Sequence, residues 1–114
     1  MSAGTGVLHS EHNLNPTDPL RLLQIWIFPD KRDYTPNYGD YAFEISDRQD
    51  KWLPIATSVN NSTSTAPIQI RADINMYATL LTKGSKSNFS TSKNRQTYLI
   101  LIEGKAPIDS HTLT

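Results

Sequence analysis

His9 and Glu11 are the residues of this chain whose type and spacing could do metal chemistry. They stand two apart in Val7-Leu8-His9-Ser10-Glu11, a stretch that reads as extended. A strand has period two, so both side chains would project to one face. Imidazole and carboxylate both bind borderline divalent metals. A catalytic metal, however, takes three protein ligands in its usual sites, and this pair supplies two. His12 would point to the opposite face, and His111, the remaining histidine, lies near the other end of the chain. The plainer reading of the pair is structural or solvated.

Other chemistries find less support. The 114 residues include no cysteine, which excludes thiolate nucleophiles, thiolate metal sites and disulfides. No serine sits in a G-x-S-x-G turn, and the phosphate-cradling glycine motifs and H-E-x-x-H are absent. Gly4-Thr5-Gly6 reads as a tight turn. Three N-x-Ser/Thr sequons, at Asn60, Asn61 and Asn88, are what chance produces in a chain so rich in Asn, Ser and Thr.

Charge adds a constraint on partners. Eleven basic and eleven acidic residues leave a formal net charge of +0, so steering of nucleic acid is not expected. The charge is uneven along the chain. Residues 1–50 hold eight acids against four bases, and residues 80–105 hold five bases against Glu103 alone. A solvated rim explains that, as do a surface for an anionic ligand and complementarity between two subunits. Few aromatics interleave with the bases, which argues against a stacking platform for single strands.

These residues need a scaffold, and its pattern is that of strands. Leu20–Phe28 (LRLLQIWIF) is apolar on both faces and suits a strand covered on both sides, with Trp26 buried. Tyr41, Phe43 and Ile45 alternate with Ala42, Glu44 and Ser46, the pattern of a half-buried strand. Lys51–Thr57 is another, and Pro54 assigns it to an edge or a bulge. Residues 59–66 form a loop rich in Asn, Ser and Thr. Ile68, Ile70, Ala72 and Ile74 alternate cleanly with polar residues. Asn75–Lys83 fits a helix or a strand, Thr97–Glu103 (TYLILIE) reads as a strand, and residues 106–114 read as a short tail. Six or seven strands with at most one helix argue for an all-β sandwich or barrel in one domain. No apolar stretch approaches the roughly 20 residues that cross a bilayer, and nothing at the start has a signal-peptide pattern, so a cytoplasmic protein is expected.

The opening MSAGTGVLHSE resembles the end of the metal motif of the pirin family, whose members are bicupins. LRLLQIWIFP resembles the strand leaving that family's first cupin barrel. KWLPIATS, IQIRADINMYATLLTKG and RQTYLILIEG resemble the opening strands of the second. The resemblance implies a cupin-like β-sandwich or partial barrel, with residues 1–57 similar to the end of the first cupin plus linker and residues 66–114 similar to the start of the second. It tips Asn75–Lys83 towards strand. Family members hold one metal through three histidines and a glutamate. His9 and Glu11 match the last histidine and the glutamate, whereas the earlier H-P-H motif has no counterpart here. Some members are quercetin-degrading dioxygenases and others nuclear co-regulators.

Resemblance and ligand count together set the functional expectations. The first is a non-enzymatic binding or interaction domain with an unknown ligand. The alternative is a metal-binding cupin (Fe, Ni, Cu or Zn) with residual quercetin-dioxygenase-type activity, its site completed by a second chain. A third is a central slice of a bicupin gene that folds without a selected activity. A slice of two barrels leaves strand edges unpaired, so a homodimer is expected, with strand exchange between the copies as one way to cover those edges and neither nucleic acid nor membrane as partner.

Overall fold

In the computed structural model, which describes residues 1–114, the regular elements all lie after Glu44. They are a single helical turn, α1 (Ile45–Arg48), and five strands: β1 (Leu53–Ser58), β2 (Ile68–Ile70), β3 (Met76–Ala78), β4 (Ala106–Ile108) and β5 (His111–Leu113). The chain is all-β, as expected, and its strands lie in two small sheets.

The first sheet has the order β2-β1-β3. β2 runs parallel to β1, pairing Ala56 with Ile68 and Ser58 with Ile70. β3 runs antiparallel to β1, and its register shifts between Pro54 and Ala56. Pro54 has no N–H for the ladder, and the shift is the bulge its position calls for. β3 also settles the ambiguity of Asn75–Lys83 in favour of strand. All five buried residues sit in or beside this sheet: Ala56, Thr57 and Ser58 on β1, and Ala66 and Ala72 at either end of β2. Small side chains here let the connections pack close. The Thr57 hydroxyl accepts a hydrogen bond from the Ala66 N–H at 3.1 Å, satisfying a buried donor.

Two clasps extend the sheet. Trp52 and Tyr77 each meet Phe89 edge-on, with ring centroids 5.1 Å apart, which holds the polar stretch 84–96 against β1 and β3. Gln49 and Leu80 form a bridge beyond the β1–β3 pair. It is completed by Asp50, whose carboxylate accepts from the Thr82 N–H and hydroxyl, both at 2.7 Å.

The second sheet is the hairpin β4-β5, whose two-residue turn Asp109-Ser110 places Asp109 at positive φ (48°). This hairpin occupies the stretch expected to be a tail.

Three other expectations are corrected. The half-buried strand expected from Tyr41 does not form: residues 41–44 are in no strand, and Ile45 and Ser46 belong to the turn α1. Leu20–Phe28 and Thr97–Glu103 pair with nothing: residues 7–29 and 96–105 make no backbone–backbone hydrogen bond. Trp26 is 85% exposed instead of buried. The reason is non-local. A strand apolar on both faces needs layers above and below it, and one copy of this chain places no layer on either side.

The molecule is correspondingly open. Its Cα radius of gyration is 16.2 Å, against about 13 Å for a compact domain of this length. It makes 25 backbone–backbone hydrogen bonds, where about 75 would be usual for such a chain.

Candidate functional site

The N-terminal segment carrying His9 is held by a chain of contacts that starts at the sheet. Arg71, next after β2, accepts at its carbonyl from the Asp30 N–H (2.8 Å), and its guanidinium lies 4.2 Å over the Tyr34 ring. Lys31 approaches the same ring at 4.8 Å, and the Tyr34 hydroxyl donates to the Asp30 carboxylate at 2.7 Å. That hydrogen bond, some desolvation and the Asp30 charge raise the Tyr34 pKa, against a smaller opposing pull from Arg71.

Tyr34 in turn fixes the start of the chain. Its carbonyl accepts from the Thr5 N–H at 3.1 Å, while Ser2 and Asn37 exchange backbone hydrogen bonds at 2.7 and 3.0 Å. Gly4 makes this approach possible. It adopts φ +53°, and a Cβ there would collide with the Tyr34 carbonyl oxygen.

The outcome is a shallow depression of about 320 Å³, walled by Met1, Val7, Leu8, Pro36 and Tyr38, with His9 at its margin. His9 is exposed, and so is Glu11, which lies outside the depression. No three His, Asp or Glu side chains converge anywhere in the chain. One imidazole and one carboxylate do not fit a resident metal on a single chain. The expected ligand pair therefore lacks its complement, and no catalytic step follows from it.

A second depression, of about 260 Å³, was not foreseen from sequence. Ser58, Asn60, Asn61, Asp73, Asn75 and Arg95 line it, and no apolar side chain does. Asn75 Oδ1 accepts from the Ser58 N–H (3.0 Å) and from the Asn61 amide (2.9 Å). Arg95 donates to the carboxylate and the carbonyl of Asp73. The signal was the run of Asn, Ser and Thr after β1, but only the fold shows that it closes on Asn75. Its two charges neutralise each other, and it offers no apolar wall, the usual lining of a small-molecule site.

The third feature is larger. Leu20, Leu22, Leu23, Ile25, Trp26 and Phe28 are all about half exposed or more, and Tyr98, Leu99, Ile100 and Ile102 are exposed as well. Arg21 and Glu103 join the two segments through an ion pair at 3.0 Å. At 69% and 81% side-chain exposure that pair marks proximity more than it contributes stability. The structure thus displays an apolar double segment free of backbone–backbone hydrogen bonds, none of whose residues lines the His9 depression.

No helix is long and apolar enough to cross a membrane. No solved structure matches the chain. Among proteins of known family, the quercetinase C-terminal cupin domain matches residues 57–114. A Pseudomonas aeruginosa protein provisionally named as a quercetin 2,3-dioxygenase is 32% identical over 96% of this chain and 46% of its own length. A pirin-like protein of Caulobacter vibrioides is 31% identical over 96% of this chain and 46% of its own length. The Escherichia coli K12 protein named quercetin 2,3-dioxygenase is 30% identical over 96% and 45%. The chain spans about half the length of the curated relatives it matches. With the domain match covering just over half of the residues and these relatives aligned along nearly all of them, the chain belongs to the pirin family of cupin proteins.

Proposed function

We propose that this chain acts as a non-enzymatic interaction domain on a cupin scaffold, binding a partner along Leu20–Phe28 and Thr97–Glu103. The observation that carries the reading is the state of those segments. They are apolar on both faces, exposed, and free of backbone hydrogen bonds throughout. Backbone donors and acceptors beside large apolar side chains are what strand addition uses: the main chain supplies affinity and the alternating side chains supply selectivity.

A second reading has support in the relatives' names. Two of them carry quercetin 2,3-dioxygenase in their names, and the resemblance of the opening sequence would set His9 and Glu11 at the end of the family's metal motif. A metal centre completed by a second chain would need both copies of His9 and Glu11 to face each other, giving a His₂Glu₂ set.

One experiment separates the readings. The protein is dialysed against iron, nickel, copper and zinc in turn, and bound metal and quercetin turnover are measured. The interaction reading expects no stoichiometric metal and no turnover above the free-metal control. A stoichiometric metal that His9→Ala abolishes, together with turnover above that control, would overturn it. Metal at one per two chains would assign the shared site.

A further inference from the structure

We infer that the polar depression beside β1 binds a small, uncharged, polyhydroxylated ring, a sugar or a cyclic polyol, through Asn75, Asp73 and Arg95. The depression shares no lining residue with the His9 depression or with the apolar segments.

Its first wall is built by the Asn, Ser and Thr residues that follow β1. The Val59 N–H donates to the Ile70 carbonyl at 2.9 Å, and the Asn61 N–H to the Ser58 carbonyl at 3.0 Å. Asn61 Oδ1 accepts from the N–H groups of Thr63 (2.9 Å) and Ser64 (3.2 Å), which closes the turn. The Ser58 hydroxyl accepts from the Asn60 N–H at 3.2 Å. This wall is ordered before any ligand arrives, so less ordering entropy is lost on binding. Ser92 and Arg95 supply a second wall, with the Arg95 N–H bonded to the Ser92 carbonyl at 3.1 Å.

Asn75 decides what the site can hold. The Ser58 N–H can only donate, so the Asn75 atom it meets at 3.0 Å is the amide oxygen. The same oxygen takes the Asn61 amide at 2.9 Å. Both acceptor positions of Oδ1 are thereby used, and the Asn75 –NH₂ group remains as a pair of donors with its orientation set. Arg95 holds one carboxylate oxygen of Asp73 and its carbonyl. The Asp73 side chain is 84% exposed, so its other carboxylate oxygen is open to a ligand. The guanidinium carries five N–H donors and spends two of them on Asp73.

An acceptor held beside oriented donors matches hydroxyl groups. A hydroxyl both donates and accepts, so neighbouring hydroxyls on one ring can give a hydrogen bond to Asp73 and take others from Arg95 and Asn75. An anion would face the Asp73 carboxylate and a cation the Arg95 guanidinium, and either would have to pull that pair apart. An apolar ligand would leave the polar lining unpaired, which disfavours it. Size selects as well. At about 260 Å³ the depression is smaller than the roughly 300–1,000 Å³ of sites for drug-sized ligands, which leaves room for a single ring.

The test is a titration of the isotope-labelled full chain, followed through its backbone and side-chain N–H resonances. The probes are myo-inositol and methyl α-glucoside, which separate a free polyol from the sugar of a glycan, with inorganic phosphate as the charged comparison. Saturable shifts of the Asn75 –NH₂ and Arg95 Nε–H signals are expected with one of the two neutral probes, at a dissociation constant on the order of millimolar. Asn75→Asp keeps an oxygen for the Ser58 N–H and replaces the two donors with a carboxylate oxygen. Arg95→Lys keeps the charge and removes the planar fork. Each is expected to weaken binding by more than about tenfold, while the Ser58 N–H stays protected from exchange. The proposal is overturned if neither neutral probe gives a saturable shift, if the shifts map elsewhere on the chain, or if phosphate binds more tightly. Binding that either substitution leaves intact overturns it as well.

Discussion

Gly4 shows how one residue decides whether the His9 depression exists. Its positive φ and its contact with the Tyr34 carbonyl exclude any side chain at that position. Gly4→Ala would impose both a left-handed alanine and a collision, a cost of about 1–2 kcal/mol or more on the local contact. The expected outcome is fast exchange at the Ser2 and Asn37 amides with the Ser58 amide unchanged. Unaltered protection at Asn37 would show that Tyr34 can retreat. Asp50 offers a test by pH. The Thr82 N–H and hydroxyl hold its carboxyl below the ordinary aspartate range, with smaller help from Gln49 and Ser85. A depressed pKa in the folded state contributes stability that is present above the unfolded value and lost as pH falls through the folded one. The bridge to Leu80 and Thr82 should therefore loosen only in acid, below about pH 4. Asp50→Asn should remove that pH dependence, as read by exchange at Thr82 between neutral and acid pH. A wild-type Thr82 amide equally protected at both ends would contradict the assignment.

At the scale of elements, local pattern identified the elements whose pairing is local. β1 with its bulge at Pro54 and β2 at Ile68–Ile70 follow alternation or proline chemistry that a window of a few residues contains, whereas Asn75–Lys83 fitted helix or strand locally and only the family resemblance tipped it to the strand seen at Met76–Ala78. Leu20–Phe28 and Thr97–Glu103 have strong strand composition too, but composition does not report whether a neighbouring strand exists. Trp26 was expected inside for that reason and stands outside. The hairpin β4-β5 erred the other way. Pro107 and the polar residues 109–112 hide a pair whose signal is two turn residues between Ile108 and His111. The His9 depression was partly legible: the histidine and the glycine turn could be named, whereas the packing of Tyr34 and Arg71 that shapes the site depends on contacts across some thirty to forty residues of chain. Two substitutions follow. Phe89→Ala removes two edge-on aromatic contacts, each worth about 0.5–1.5 kcal/mol, and should destabilise the sheet by about 1–3 kcal/mol in denaturant unfolding. Trp26→Ala should leave protection of the Ser58 amide unmoved while it weakens association. Loss of the sheet on Trp26→Ala would mean that the indole packs against it after all.

For the whole molecule, openness and assembly are one question. A chain with 5 buried residues of 114 has little core with which to offset the conformational entropy lost on ordering. Its exposed apolar residues are the reserve from which stability can come, and the homodimer expected from the sequence would draw on them. Folding and association should then be linked, so that stability depends on protein concentration. For a two-chain transition, a hundredfold rise in concentration adds about 2.7 kcal/mol at 25 °C to the apparent stability of the dimer. For an assembly of this combined size, each kcal/mol moves the melting temperature by about 2–4 °C. The expected rise is therefore about 5–10 °C between roughly 1 and 100 μM, measured by calorimetry or circular dichroism. Ammonium sulfate, which strengthens apolar burial, should raise the midpoint further. Trp26→Asp should flatten the concentration dependence, because it removes the association and leaves the sheet. A melting temperature that is constant across that range would separate folding from assembly and leave the exposed segments without a thermodynamic role.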